Sequence, residues 1–234
     1  MAEEHIQSNF DKDLAVVRRK VILMAEMVHR ELSDSLNAFI SRDEDAASDT
    51  IEADELVNAS ERIIDNLIIR SIVLHQPMAS DCRNLIAALR ISRDLERIGD
   101  YATNIANHSR TLDHLNLTGE EQRVIDMGHA IITMMEEVME AYDDLDGNKA
   151  ELVRGQDVDI DELYTKIFAD LLDINKRNAD LTNACTHLAF IARSLERVGD
   201  HITDIAEEIL YIVTGEFPSD EREKADESAF QSAE

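Results

Sequence analysis

Apolar residues recur along the chain at spacings of three and four. Phe10, Leu14, Val17, Val21, Met24, Val28, Leu32, Leu36 and Phe39 draw one stripe. That spacing predicts an amphipathic helix of about eight turns. A second helix is predicted over roughly 47–75. Pro77 then interrupts the chain, because its ring cannot sit in a helix interior. Ser80 or Asp81 can cap a third helix running to about Leu112. Asn116, Leu117, Thr118 and Gly119 read as a turn, and Glu121 follows Thr118 in the manner of a capping box. A fourth helix runs to about Leu145, and Asp146-Gly147-Asn148 is the next turn. A fifth helix reaches about Asn175 and a sixth spans about 180–213, with Gly215 placed to end it.

These six helices are three used twice. The segment from Ile91 to Asp100 matches the segment from Ile191 to Asp200 at a separation of 100 residues. Met24, Val28, Leu32, Leu36 and Phe39 match Met127, Ile131, Met135, Met139 and Tyr142 at a separation of 103, and Asp54 and Asn58 then fall on Asp157 and Asp161. The repeat is too long for a solenoid unit. The expected fold is all-α, two tandem three-helix bundles related by internal duplication. The expected organisation is a first bundle over 1–115, a second over 116–215, and an acidic tail over 216–234 without fixed structure.

Composition narrows the class. The chain has 234 residues, of which 44% are apolar, enough for a core. With 7 Gly, 2 Pro and few aromatics, it lacks the turn and strand formers an all-β fold requires. No apolar run approaches the roughly 18 residues of a membrane span. Met1 to His5 is acidic and shows no signal-peptide core, so a cytoplasmic location without membrane insertion is expected. The net charge of -27 disfavours nucleic acid as a partner. It suits cations and basic protein surfaces instead. Cys82 and Cys185 form no CxxC pair, which makes a thiolate site improbable.

The repeated carboxylates are the candidate chemistry. Helices 2 and 3 form an antiparallel hairpin about Pro77, so residues equidistant from it share one height. Asp54 and Asp100 are each 23 residues away, and Asn58 and Glu96 are each 19 away. The second hairpin pairs Asp157 with Asp200 and Asp161 with Glu196 about a pivot at Asn178-Ala179. All eight are expected to face away from the core. Clustered carboxylates repel unless a cation neutralises them, and hard cations take several oxygen ligands. An open, shallow, all-oxygen metal site on each bundle is expected. Asn58 leaves the first set one charge short, which predicts weaker cation binding there. The competing reading is a solvated acidic face paired with Arg93, Arg97, Arg193 and Arg197. Gly99 and Gly199 stand between the carboxylates, for close helix packing or for close approach of another group.

Three segments together resemble the PhoU family: Leu95-Glu96-Arg97-Ile98-Gly99-Asp100, its copy from Leu195 to Asp200, and Gln76-Pro77-Met78-Ala79-Ser80-Asp81-Cys82-Arg83. The resemblance covers about residues 9–215. It implies two tandem three-helix bundles with surface metal clusters on E(D)xxxD motifs, here Glu96/Asp100, Glu196/Asp200 and Asp157/Asp161. Asp54/Asn58 departs, with an amide in place of a carboxylate. The ion on each bundle would be iron, zinc, manganese or magnesium. The resemblance also implies a regulator that restrains a phosphate ABC transporter and represses the two-component phosphate-starvation response when phosphate is plentiful. Its expected partners are the transporter's ATPase subunit and a phosphate-sensing histidine kinase. A homodimer and the absence of catalysis are expected with it. The alternatives are a metal-free helical adaptor and a ferritin-like di-iron enzyme. The second draws on Glu26/His29 and Asp126/His129, an ExxH segment and a DxxH segment, although the 103-residue match does not make the two histidines equivalent.

Overall fold

Asp43 opens the second helix by accepting a hydrogen bond from the Ala46 N–H, and the helix closes at Gln76 in a left-handed conformation just before Pro77. Asp146 caps the helix over Gly147–Gly155 in the same way, and this computed structural model describes residues 2–112, 115 and 118–219. The helices are α1 (Ala2–Ser41), α2 (Glu44–His75), α3 (Ser80–Leu112), α4 (Glu121–Asp144), α5 (Gly147–Gly155), α6 (Asp157–Arg177) and α7 (Thr182–Thr214), with a 3-10 turn at Ala179–Leu181. Glu121 accepts from the Thr118 and Gly119 N–H groups at the start of α4, as the capping-box spacing predicts. Gly215 takes a φ of 89° and closes α7 through its N–H on Tyr211.

One expectation needs correction. The predicted fifth helix is two, because the chain breaks for a single residue at Gln156. Gly155 weakens the helix there, and the Gln156 side chain donates to Glu137 of α4 at 2.8 Å. The preceding bundle has no such break, since α2 is continuous over its 32 residues.

Helices α1 to α3 form one bundle and α4 to α7 the other. A continuous apolar core runs through both, from Phe10 of α1 to Leu210 of α7. Helices α3 and α7 pack antiparallel as the seam between the bundles. Arg90 of α3 bonds Glu208 of α7 at 3.0 Å near one end. Near the other end the His108 ring stacks on Phe190 at 4.9 Å. These two pairs are repeat-mates: 100 residues separate Arg90 from Phe190 and His108 from Glu208. The seam is therefore a pseudo-two-fold contact centred near Gly99 and Gly199. Helices α1 and α4 also touch across the halves, and a Cβ placed on Gly128 would sit 2.6 Å from Leu36 Cδ1.

The expected tail begins anchored. Phe217 stacks on Tyr211 at 4.2 Å, with the Arg90 guanidinium 5.4 Å from the Phe217 ring. Residues 220–234 lie outside the described residues, as do Asn116 and Leu117 of the predicted turn. Among the described residues, no helix is long and apolar enough to cross a membrane.

Candidate metal-binding carboxylate clusters

Helix α2 carries Asp54 and Asn58 one turn apart, and α3 carries Glu96 and Asp100 one turn apart. Asn58 Nδ2 donates to Asp54 Oδ2 at 2.7 Å. The other oxygen, Asp54 Oδ1, is buried and has no hydrogen-bond partner among the described residues. Arg97 spans the neighbouring pair, 3.0 Å from Asp100 Oδ2 and 3.6 Å from Glu96 Oε2. Burial and then the charge of Asp100 push both Asp54 and Glu96 above the ordinary carboxylate range. Asp54 and Asp100, paired by the hairpin arithmetic, therefore feel one another.

Two further acids join them. Glu31 of α1 is only 3% exposed. Its Oε1 accepts from Thr103 at 3.1 Å, while Oε2 is shut off from solvent without a hydrogen-bond partner. Burial first, then the charges of Asp54 and Asp100, push Glu31 up to about 8. Gly99 admits this arrangement. A Cβ there would lie 3.2 Å from Asp54 Oδ1 and 3.4 Å from Glu31 Oε2. Glu61 follows Asn58 by one turn and is raised by burial and then by Asp65, against Arg93 and Arg97. Its charge reaches Glu96. The repeat comparison misses both residues, because Met134 stands where a second Glu31 would be and Tyr164 where a second Glu61 would be. A signal for Glu31 was present in the pattern, since a charge three residues after Val28 falls on the apolar stripe itself.

The second set departs from the expected open site. Asp157, Asp161, Glu196 and Asp200 are 3%, 2%, 3% and 8% exposed. They are enclosed rather than outward-facing, and arginines provide the cover. Arg193 lies 5.2 Å from the Tyr164 ring centre and 3.2 Å from Glu196 Oε1. Arg197 reaches Asp200 at 2.9 Å and Glu196 at 3.6 Å. Gly199 here serves helix packing, since a Cβ would meet Ile131 Cδ1 at 3.2 Å and Ile160 Cγ2 at 3.3 Å. Glu31 and Glu61 also bring carboxyl oxygens to the side of Asn58.

The ExxH and DxxH segments do not build a buried centre. Glu26, Asp126 and His129 are exposed, and His29 pairs with the exposed Glu136 of α4 at 3.1 Å. A ferritin-type di-iron site needs its ligands inside one four-helix core. Cys82 and Cys185 are free thiols, and burial raises Cys185.

Comparison with known proteins is consistent across the chain. The family model described as "PhoU domain" matches twice, over residues 21–108 and 124–209. A phosphate-specific transport system accessory protein PhoU homolog of Rhizobium meliloti is 34% identical over 227 residues, covering 97% of this chain and 96% of the relative. The equivalent homolog of Caulobacter vibrioides is 36% identical over 224 residues, covering 95% of this chain and 97% of the relative. The crystal structure of PhoU from Pseudomonas aeruginosa superposes with a TM-score of 0.86 at 30% identity, covering 88% of this chain and all of that one. The phosphate transport system regulatory protein PhoU from Streptococcus pneumoniae superposes with a TM-score of 0.85 at 27% identity, covering 90% of this chain and 99% of that one. With both halves of the duplicated fold matched and relatives aligned along nearly its whole length, the chain belongs to the PhoU family.

Proposed function

We propose that this protein is an accessory regulator of phosphate transport, acting by binding proteins rather than by catalysis. The near-full-length match to relatives named phosphate-specific transport system accessory proteins carries this reading. The transporter's ATPase subunit and a phosphate-sensing histidine kinase are its partners in the cytoplasm, and it restrains uptake and represses the starvation response when phosphate is plentiful. The net charge of -27 supports docking on basic surfaces, with rates and affinities that fall as salt rises. A homodimer belongs to the same proposal.

Metal assists this docking at the first-bundle cluster. Asp54, Glu96 and Asp100 concentrate negative charge that a hard cation would relieve, Glu31 would give up its proton to join them, and Asn58 and Glu61 complete the surroundings. Such an ion would be held by several carboxylates and keep positions for a partner's oxygen ligands. Asp157, Asp161, Glu196 and Asp200 would hold a second ion only after Arg193 and Arg197 move aside. Those arginine pairs favour a second reading, a metal-free adaptor.

The test is co-purification with the ATPase subunit and the kinase, with and without phosphate, comparing wild type with the D54N/E96Q/D100N variant. Weaker association in the variant at unchanged helicity supports the metal-assisted reading. Association by the wild type that the variant and chelator both leave intact supports the adaptor. No association with either partner overturns the regulatory role.

A further inference from the structure

Asp94, His201 and Asp204 meet at the α3–α7 seam, and none of them belongs to the repeated E(D)xxxD motifs. His201 Nδ1 lies 3.1 Å from Asp94 Oδ1 and 3.8 Å from Asp204 Oδ2. One ligand atom from each residue falls within 4.8 Å of the other two. Two ligands bound about 2.1 Å from one metal ion stand roughly 3.0–3.4 Å apart. The observed triangle is therefore close to what one ion would draw together with small side-chain rotations. Asp204 follows His201 by three residues and so shares its face of α7. Asp94 comes from the other bundle. The Tyr101 ring lies against the His201 ring, with centres 5.8 Å apart.

A second observation points the same way. Glu208 follows Asp204 by one turn and is buried. Its Oε1 accepts from Arg90 at 3.0 Å, but its Oε2 is sealed from solvent without a hydrogen-bond partner among the described residues. A buried acceptor left in that state is unfavourable. Burial raises Glu208 above the ordinary carboxylate range, and Asp94 and Asp204 add to the rise. Glu208 thus bonds Arg90, and Asp94 and Asp204 lie beside the one imidazole of His201. The repeat-mates of the three ligand residues are Ser194, Tyr101 and Asn104, so the cluster exists on one side of the seam's centre and has no copy on the other.

We propose that Asp94, His201 and Asp204 bind a divalent first-row transition ion of the zinc type, which ties the two bundles together across the seam. A nitrogen ligand beside two carboxylates favours such an ion over magnesium or calcium. Three protein ligands leave a position for water. Glu208, which feels the charges of both Asp94 and Asp204, adds a buried oxygen with an unused acceptor beside the three ligands. The site does not depend on the carboxylate clusters or on the regulatory role.

The test is calorimetric titration of the chelator-treated full chain with Zn2+, in excess Mg2+ to fill all-oxygen sites. Wild type should keep a Zn2+ binding event under Mg2+. H201Q and D94N should weaken it by more than about tenfold, since even outer-shell partners carry that much. Crystals of the wild type soaked in Zn2+ should show an anomalous peak in contact with Asp94 and His201. This peak decides the matter should either variant lose helicity by circular dichroism. No Zn2+ binding under Mg2+, undiminished binding in both folded variants, or zinc density away from these residues overturns the proposal.

Discussion

Thr103 donates its hydroxyl to Glu31 of α1 at 3.1 Å, whereas Thr203, its repeat-mate, donates to the carbonyl of Gly199 on its own helix at 3.0 Å. The second arrangement is the usual resting bond of a helical threonine. The first exists because α1 offers a buried acid, and Met134 offers none to Thr203. Duplication kept the donor and changed the acceptor.

Glu31 makes stability depend on pH. Its folded value of about 8 lies above the ordinary 4.5, so the folded chain holds a proton that the unfolded chain has released. The stability tied to that proton is whole below about pH 4.5 and is lost as pH rises through 8. In chelator, the margin of E31Q over the wild type should be smallest near pH 4.5 and should grow by about 1–3 kcal/mol by pH 9. Urea unfolding at both pH values measures this. A variant no more stable at pH 9 would show that the buried charge is relieved by some other route.

His108 acts with the opposite sign. Its Nδ1 lies 3.0 Å from His187 Nδ1, so one ring must accept what the other donates. Burial and then His187 hold His108 below its ordinary 6.5. The folded state therefore favours the neutral ring, and stability falls as pH drops below 6.5 and through the lower folded value. H108F keeps a ring against Phe190 and should flatten the denaturation midpoint between pH 7 and pH 5. An unaltered slope would assign the acid sensitivity elsewhere.

Arg197 and Arg97 are repeat-mates with different duties. Arg197 pairs with the enclosed Glu196 and Asp200, whereas Arg97 serves the more exposed Glu96 and Asp100. Losing the partner of a buried carboxylate costs about 1–3 kcal/mol, while exposed pairs contribute about 1 kcal/mol or less. R197A should be the more destabilising change by chemical denaturation. Equal losses would mean that Arg193 alone suffices for the second set.

Leu36 of α1 packs against the bare backbone of Gly128 of α4, across the two halves. G128A would drive a methyl against Leu36 Cδ1 and should destabilise by about 1–2 kcal/mol, despite the better helix propensity of alanine. In an L36A background the same change should cost nothing. A double-mutant cycle with no coupling would place the strain outside this pair.

The periodic stripe and the offset match made the helices, the duplication and the eight paired positions legible, because apolar spacing and turn chemistry are local. The break at Gln156 was not legible, since it depends on Glu137 of a different helix. The burial of Asp157 and Asp161 was hidden for a similar reason. Their alternation reads as a solvated face until α7 is seen packed against it, with Gly199 letting Asp157 lie close. Glu31, Glu61 and the Asp94–His201–Asp204 cluster escaped for one common cause. A search for what two halves share discards what only one half carries, and these residues have Met134, Tyr164, Ser194, Tyr101 and Asn104 as mates.

Because α3 and α7 run antiparallel about a level near Gly99 and Gly199, that level is a fulcrum for any tilt of one bundle against the other. The carboxylates beside the two glycines sit where displacement is smallest. Arg90, Glu208, Tyr211 and Phe217 ride one arm, and His108, His187 and Phe190 ride the other. Any rotation about that level would displace the ion pair on one arm and the aromatic stack on the other in opposed directions, and would leave the carboxylates at the middle nearly in place.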